Sequence, residues 1–202
     1  NFSFIRNKEE DFVNFREHIA PVSEALTTLG IANSISPRND IFVNEHKVSG
    51  NAEHVNSKTK RILHHGTLLY DSNIIKLNGS IKPKTQLAIK THAVNSVRSK
   101  VMNMRTVADL GDTPTFLAKL VNELKQTIAQ GEAHHIDPNS YSEVRHLIRT
   151  KNTKWDWNFG HTPQFTYTTA SGLEMKIRKG HVTECSETKW IGKRFDAILN
   201  DE

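Results

Sequence analysis

Apolar and polar positions alternate with the two-residue period of β-strands in two parts of the chain. In the first third, the stretches are residues 1–5, 41–43, 47–52 and 61–70. Residues 44–46 are polar between two of them, which predicts a hairpin. Near the other end the stretches are residues 164–168, 173–177 and 181–185, with a turn at Lys179-Gly180. A strand-rich beginning and a short strand cluster near the end are therefore predicted.

Helical spacing of apolar residues separates these strand regions. It predicts a helix over residues 9–29 that Pro21 kinks and Gly30 ends. A second helix starts at Thr113-Pro114, with proline at the first helical position, and ends at Gly131. Shorter helices are predicted over residues 140–149 and 190–199. The lysine-rich residues 71–91 contain Asn78-Gly79-Ser80 and Pro83, which favour short helices and loops.

The change in pattern near residues 104–113 predicts a domain boundary. Gly111-Asp112 interrupts the chain there, after the strand-rich part. We therefore expect residues 1–108 to form one domain, and residues 109–202 to form a linker and a smaller domain. A chain of 202 residues is long enough for this arrangement.

Charge and composition exclude several classes of function. The net charge is +5, but 27 basic residues are scattered among 22 acidic ones, and no basic stripe carries interleaved aromatic residues. We therefore expect no nucleic-acid partner. No stretch approaches the roughly 18 apolar residues of a membrane span, so no membrane partner is expected. Cys185 is the single cysteine, which fits a reducing compartment, and we expect a cytoplasmic protein.

Lys47 is the first candidate for chemistry. It lies at the start of a predicted strand whose side chains become small at Ser49-Gly50, and small residues let another molecule approach the backbone closely. A lysine there could place a compact positive charge against a phosphate or a polarised acyl carbonyl. The alternative is a solvated hairpin lysine beside a bulge glycine, and the local pattern alone favours this alternative.

Paired histidines are the second candidate. Neighbouring strand residues point to opposite faces, so His64 and His65 do not readily share one ion. No cysteine or carboxylate lies at a useful spacing, and the pair therefore does not predict zinc. One of the two could hydrogen-bond at a site while the other packs. In residues 95–101, Arg98 and Lys100 could line one side of an extended stretch, although a solvated edge is the commoner meaning of that pattern.

Five segments, taken in order, favour the functional interpretation over the structural one, because together they resemble the lipoate-protein ligase family. The segments are Arg38-Asn39-Asp40, residues 47–52 (Lys-Val-Ser-Gly-Asn-Ala), residues 64–69 (His-His-Gly-Thr-Leu-Leu), residues 96–101 (Ser-Val-Arg-Ser-Lys-Val) and residues 155–165 (Trp-Asp-Trp-Asn-Phe-Gly-His-Thr-Pro-Gln-Phe). The resemblance runs from Asn1 to about Asp196. It implies an α/β (α+β) chain with a biotin/lipoate ligase-like mixed sheet flanked by helices, plus a small α/β C-terminal accessory domain.

The resemblance also implies an activity and its substrates. Members of the family use ATP and Mg²⁺ to convert lipoic acid to lipoyl-adenylate, and then attach the lipoyl group to a lysine of a carrier domain. Lys47 matches the family's essential lysine, which contacts the lipoyl carbonyl and the adenylate phosphate. The implied carriers are lipoyl domains of 2-oxoacid dehydrogenase acyltransferase subunits and the glycine cleavage H protein. In a eukaryote the implied location would be mitochondrial instead of cytoplasmic.

Further site residues are carried over from the matching motifs. Asn39 and Asp40 match an Asn-Asp pair, with Asp40 expected near magnesium or the nucleotide. The residues expected along the bound intermediate are Ser49, Gly50 and Ala52, and those expected to form a neighbouring wall are His65, Gly66 and Thr67.

Three other hypotheses remain open. A lipoyltransferase that uses preformed lipoyl-adenylate would share the fold and Lys47, whereas a cysteine-dependent octanoyltransferase is disfavoured because Cys185 lies far along the chain from Lys47. The family's glycine-rich run precedes the segment that matches Asn1. We therefore expect the upstream part of the catalytic domain to lie outside this chain, as a missing N-terminal segment or on a second chain. Without it, a non-catalytic binding module is the third hypothesis.

Overall fold

The computed structural model describes residues 1–7, 14–81, 87–93, 99–128, 132 and 134–201. The chain folds into two compact units, each assembled from two stretches of sequence. The first unit comprises Asn1–Lys82 with Val97–Ala133, and the second comprises Pro83–Ser96 with His134–Glu202. Each unit has its own hydrophobic core.

The first unit contains two antiparallel three-stranded sheets. Their strands are β1 (Phe2–Asn7), β2 (Ser34–Ile35), β3 (Ile41–Val43), β4 (His46–Ser49), β5 (Asn51–Asn56) and β6 (Arg61–Gly66). The strand order is β1-β6-β5 in one sheet and β2-β3-β4 in the other. Burial alternates strictly along β6, as expected for a strand with one face against a core.

The predicted hairpin is confirmed as the β3–β4 pair. Asn44 and Glu45 join the strands with φ angles of 45° and 63°, the left-handed conformations that a tight two-residue hairpin turn requires. The register places Phe42 opposite Lys47. Gly50 separates β4 from β5, so the single predicted stretch 47–52 divides between the two sheets.

The helices of the first unit are α1 (Phe15–Thr28), α2 (Ile74–Ile81) and α3 (Thr113–Ile128). Residues of α1 and α3 belong to its hydrophobic core, and these two helices pack against each other. α1 continues through Pro21, and its first turn is capped by the Asn14 side chain, which accepts a hydrogen bond from the Glu17 N–H at 3.4 Å. Fully buried core side chains include Ile19, Leu26, Ile31, Ile41, Val48 and Met104.

A four-stranded antiparallel sheet organises the second unit. Its strands are β7 (Ala88–Thr91), β8 (Phe165–Thr168), β9 (Glu174–Arg178) and β10 (His181–Cys185), in the order β10-β9-β8-β7. The helices are α4 (Ser142–Leu147), continued by a π-helical stretch Ile148–Asn152, α5 (Trp155–Asn158) and α6 (Phe195–Asp201). The buried core consists of Phe165, Tyr167, Met175, Ile177, Val182 and Ile198.

Trp155, from the last of the five segments, packs within this second unit. Its Nε1–H donates to Asp196 Oδ1 at 3.3 Å, and the Arg194 guanidinium lies 4.7 Å from the ring centroid. Gly180 has a φ of 72°, and a Cβ there would lie 2.6 Å from Trp155 Cη2. Trp155 therefore has a packing role within the second unit.

Most predicted elements are confirmed, but several details differ from the structure. Residues 88–91 form β7 instead of a loop or helix, residues 67–70 do not extend β6, and residues 191–194 are not helical. β2 and α5 were not predicted. The units also divide differently from the expected boundary after residue 108, because α3 packs in the first unit and β7 pairs in the second. Residues 9–13, Pro83, Arg98 and Gly131 lie outside the described residues.

The predicted α+β class is confirmed. All pairings between the strands above are antiparallel, and the parallel contact found in the described ranges is the isolated bridge from Lys47 to Val101. No helix in the described part of the chain is long and apolar enough to cross a membrane.

Candidate functional site around Lys47

Lys47 lies in β4, and backbone from other segments is hydrogen-bonded to both edges of this strand. Its N–H donates to the Lys100 carbonyl at 2.8 Å, while β3 pairs with β4 along the opposite edge. Its side chain is 28% exposed. The backbone position is therefore fixed, while the ammonium group remains accessible to a ligand.

Asp40 is the ionic partner of Lys47. Lys47 Nζ lies 2.9 Å from Asp40 Oδ1, and the Asp40 side chain is 15% exposed. A tight turn positions Asp40, because its N–H donates to Ser36 Oγ at 3.1 Å and its carbonyl accepts from the Ser36 N–H at 2.9 Å. A partly exposed pair of this kind contributes only about 0.2–1 kcal/mol to stability. Its main effect is to orient the lysine.

Gly50 provides the space next to the Lys47 side chain. A Cβ at Gly50 would lie 3.3 Å from Lys47 Cε and 3.4 Å from Nζ. The Gly50 carbonyl accepts a hydrogen bond from the Thr67 N–H at 3.0 Å, and its N–H donates to Thr67 Oγ1 at 3.3 Å. Lys47 therefore lies beside backbone that is both small and held in place.

Asn51 anchors the segment that carries Lys47. Its Nδ2 donates to the Asn39 carbonyl at 2.8 Å and to Ser49 Oγ at 3.2 Å. Asn39 has a φ of 63°, a conformation that asparagine tolerates better than most residues. Gly66 leaves room for Asn51, since a Cβ at Gly66 would lie 2.3 Å from Asn51 Oδ1. Asn51 was not singled out from the sequence, although it lies within one of the five segments.

The remaining predicted site residues lie along β5 and β6. Ala52 and His65 are directly opposite each other in the register, and both are exposed. His64 and His65 point to opposite faces of the sheet, as predicted from strand alternation. The structure thus brings Lys47 together with Asp40 and Gly50, and links Asn39, Ser49 and Thr67 to that group through hydrogen bonds.

A buried cluster of three titratable side chains lies on the other face of this sheet. Glu53 Oε2 is 3.1 Å from His18 Nδ1 and 3.0 Å from His64 Nδ1. The side chains of His18, Glu53 and His64 are at most 3% exposed. The sequence-based argument that His64 has no carboxylate at a useful spacing is wrong. Glu53 stands opposite His64 in the β5–β6 register, and His18 comes from α1.

Burial dominates the protonation of His64. Loss of solvent lowers the pKa of the His64 imidazole below its ordinary value, and the hydrogen bond with Glu53 offsets this only in part. Phe4 stacks on His18 at 6.0 Å between ring centroids, and Phe15 meets the His64 ring edge-on at 5.6 Å. The cluster is therefore polar at its centre and enclosed by aromatic rings.

Among the described residues, Asp40 does not belong to a group of three or more side chains that could hold one metal ion. Its Oδ1 contacts Lys47 Nζ. Within the described ranges, the group of metal-ligating side chains close enough to share one ion is His18, Glu53 and His64. Magnesium is often held by one or two carboxylates together with substrate phosphates, so the expected role of Asp40 toward magnesium stays a prediction.

Sequence comparison places the chain in a family. The model of the "lipoyl protein ligase A/B catalytic domain" matches residues 1–128. The chain belongs to this family. All site residues predicted from the sequence, from Asn39 to Thr67, lie inside the matched range. The expectation drawn from the five segments is thereby confirmed at the level of the family.

Relatives of known name extend the match beyond the family model. The lipoate-protein ligase LplJ of Bacillus subtilis is 32% identical over 196 residues, covering 92% of this chain and 58% of the relative. A lipoate–protein ligase of Staphylococcus aureus is 28% identical over 186 residues, covering 90% of this chain and 54% of the relative. The chain therefore spans less than three fifths of the length of either lipoate ligase.

Solved structures support the fold assignment. The Plasmodium falciparum protein LipL1, solved in complex with lipoate, aligns with a TM-score of 0.57 at 20% identity, covering 89% of this chain and 54% of that one. The bipartite lipoate protein ligase of Thermoplasma acidophilum, studied with its E2 lipoyl domain, aligns with a TM-score of 0.57 at 19% identity, covering 77% and 62%. At this identity the similarity establishes the lipoate ligase fold.

Proposed function

We propose that this chain carries the acyl-activating site of a lipoate-protein ligase. In the first step a lipoate carboxylate oxygen attacks the α-phosphorus of ATP, forming lipoyl-adenylate and releasing pyrophosphate. In the second step a carrier-domain lysine amine attacks the acyl carbon, an amide forms, AMP leaves, and the amine loses a proton. The observation that carries the proposal is the Lys47 ammonium, held by Asp40 beside Gly50 in a member of this family.

Lys47 is the proposed catalytic residue because both steps build negative charge on oxygen. The first step concentrates charge around the α-phosphate, and the second passes through a tetrahedral intermediate with an oxyanion. A positioned cation stabilises such charge most where water is excluded. The contact with Asp40 holds Nζ in place before the substrates arrive, which lowers the cost of ordering the side chain.

The neighbouring backbone would form the walls of the acyl site. We propose that Ser49, Gly50 and Ala52 line the bound intermediate, and that His65, Gly66 and Thr67 form the adjacent wall. The paired hydrogen bonds between Gly50 and Thr67 support this, because they fix the two segments next to each other beside Lys47. ATP would bind as a substrate, with Mg²⁺ as its counter-ion. Asp40 would supply one carboxylate near them.

Alanine at Gly50 is expected to lower activity by about tenfold with little effect on stability. The added Cβ approaches Lys47 Cε and Nζ at 3.3 and 3.4 Å, so Nζ must move by a few tenths of an ångström. Because a misplacement of about 1 Å can cost about a hundredfold in rate, this smaller shift is expected to cost about tenfold. Thermal unfolding together with steady-state lipoylation checks this. Unchanged kinetics would show that Nζ is not positioned by the space at Gly50.

The proposed partners are lipoyl carrier domains of acyltransferase subunits and of the glycine cleavage H protein. The pairing of the Thermoplasma ligase with its E2 lipoyl domain supports the class of partner. Such carriers are typically acidic, and this chain has a net charge of +5. Complementary charge accelerates association, and salt removes that acceleration.

Association with a carrier domain is therefore expected to slow by about tenfold as the screening length falls from about 30 Å to about 8 Å. Stopped-flow measurements at increasing salt concentration provide the test. A carrier variant with neutralised surface acids is the control and should show a flatter dependence. Association rates independent of salt would remove the charge argument.

Lipoate-dependent exchange of pyrophosphate into ATP tests the proposed function most specifically. We expect the full-length wild-type protein to catalyse this exchange, because adenylate formation is reversible. Transfer from synthetic lipoyl-adenylate without exchange would favour a lipoyltransferase. The absence of both exchange and transfer would favour a non-catalytic binding module.

A further inference from the structure

The His18–Glu53–His64 cluster joins three separate elements of the first unit at one point. His18 comes from α1, Glu53 from β5 and His64 from β6. One carboxylate oxygen, Glu53 Oε2, lies 3.1 and 3.0 Å from the Nδ1 atoms of the two histidines. One ligand atom from each of the three residues lies within 4.8 Å of the other two.

These distances and donor types match a zinc-class ion. Zinc binds histidine nitrogen and carboxylate oxygen at about 2.0–2.2 Å, so ligands of one tetrahedral ion lie roughly 3.3–3.6 Å apart. The separations between Glu53 and the two histidines, 3.0 and 3.1 Å, need only small adjustments to reach that range, while the ligand atoms of His18 and His64 lie within 4.8 Å of each other and must also approach it. Two imidazoles and one carboxylate also form a common protein ligand set for catalytic zinc, with a further position left for water.

The residues around the cluster resemble the second shell of a metal site. Asn51 Oδ1 lies 3.4 Å from His64 Nε2, where it can accept the ring proton once Nδ1 binds a metal. The Asn14 N–H donates to Glu53 Oε1 at 2.9 Å and orients the carboxylate. Such partners fix ligand geometry in protein metal sites.

Hydrogen bonds from the described residues do not satisfy the cluster completely. His18 is 3% exposed, and its Nε2 has no hydrogen-bond partner within the described part of the chain. A buried polar atom without a partner requires an explanation. His18 also lines a cleft of about 500 Å³ bordered by β1, α1 and the end of α3, which offers an ion and its water a path inward.

We propose that His18, Glu53 and His64 form a binding site for one divalent transition-metal ion of the zinc class. The ion would tie α1 to β5 and β6. Asn51 would connect it to the segment that carries Lys47 through its hydrogen bonds to Asn39 and Ser49. The site is independent of the ligase proposal, because none of its three ligands takes part in the proposed acyl chemistry.

Zinc titration of the chelator-treated full-length protein tests the site. We expect one equivalent to bind with a dissociation constant of roughly 1 µM or tighter and to raise the Tm by roughly 5–10 °C when zinc is in excess. Substitution with Co²⁺ should give the strong visible absorption of a four-coordinate ion with nitrogen and oxygen ligands.

The zinc affinity of the Glu53→Gln variant distinguishes binding at this site from adventitious binding elsewhere. Loss of a direct ligand should weaken zinc binding by about a hundredfold or more, while glutamine keeps the size of the side chain and an acceptor oxygen for the Asn14 N–H. The matched control is the double variant His134→Gln, His135→Gln, which removes an exposed histidine pair and should leave the affinity unchanged. His18→Gln serves the same purpose if Glu53→Gln does not fold.

Two results would overturn the proposal. One is equal zinc affinity in the wild-type protein and in a folded Glu53→Gln or His18→Gln variant. The other is a wild-type protein that binds Co²⁺ only weakly and with the faint spectrum of a six-coordinate ion. This second measurement needs no variant, so it decides the matter even if both substitutions unfold the protein.

Discussion

Replacing Lys47 with alanine is expected to abolish lipoyl transfer while leaving the fold intact. The side chain is partly exposed and its ion pair with Asp40 contributes little to stability, so the Tm should change by only a few degrees. Loss of a positioned cation in the transition state costs about 3 kcal/mol or more, which is at least about a hundredfold in rate. Initial rates of carrier lipoylation provide the measurement.

Two further variants control this experiment. Lys47→Arg keeps the charge but replaces a compact ammonium by a broad planar group, and should restore little activity. Lys76→Ala removes an exposed lysine on α2 and should retain wild-type activity. Near-normal lipoylation by Lys47→Ala would refute the catalytic assignment of this lysine.

Replacing Gly66 with alanine is expected to reduce both stability and activity. A Cβ there would lie 2.3 Å from Asn51 Oδ1 and 2.3 Å from Phe2 Cζ, so both side chains must move. Overpacking of this kind typically costs about 1–3 kcal/mol, a drop in Tm of roughly 5–15 °C. Activity should fall further, because Asn51 anchors Asn39 and Ser49 next to Lys47. Calorimetry and lipoylation rates below the transition measure the two effects.

Gly79→Ala is the matched control for Gly66→Ala. Gly79 lies in α2, and a Cβ there would meet nothing within 4 Å. Alanine favours a helix over glycine by about 0.5–1 kcal/mol, so this variant should be neutral or slightly stabilised. Combining Gly66→Ala with Phe2→Ala should recover part of the loss that the close contact with Phe2 causes. Equal stability of the Gly66→Ala and Gly79→Ala variants would contradict the packing described for Gly66.

The sequence predicted those elements whose signals lie within a few neighbouring residues. Strict alternation identified β6, the polar residues before His46 identified the β3–β4 turn, and Thr113-Pro114 identified the start of α3. β7 was missed because all four of its residues are exposed, so the strand lacks the alternating burial that pattern analysis depends on. Its strand conformation depends on pairing with β8, more than 70 residues away in sequence.

Only part of the candidate site was predicted, because local patterns reveal residues that are close in sequence but not contacts between separate strands. Lys47, Ser49 and Gly50 are close in sequence, and their small-residue context is visible without a structure. Contacts of Gly50 with Thr67, and of Asn51 with Asn39, depend on how separate strands are arranged. No local pattern predicts that arrangement.

The His18–Glu53–His64 cluster was missed although part of it could have been found. Treating residues 51–56 and 61–66 as a hairpin joined by a four-residue turn places Glu53 opposite His64. That register would have supplied the carboxylate that the paired histidines appeared to lack. His18 has no such signal, because its position depends on how α1 packs against the sheet.

The mass of a carrier domain after incubation with lipoate and ATP is the most direct test of the proposed site. With the full-length wild-type protein, we predict the gain of one lipoyl group on the carrier lysine, and no gain when ATP or lipoate is omitted. The Lys47→Ala variant should give no gain on the same timescale. A carrier that stays unmodified by the wild-type protein, or that is modified equally well by the variant, would contradict the assignment of acyl activation to this site.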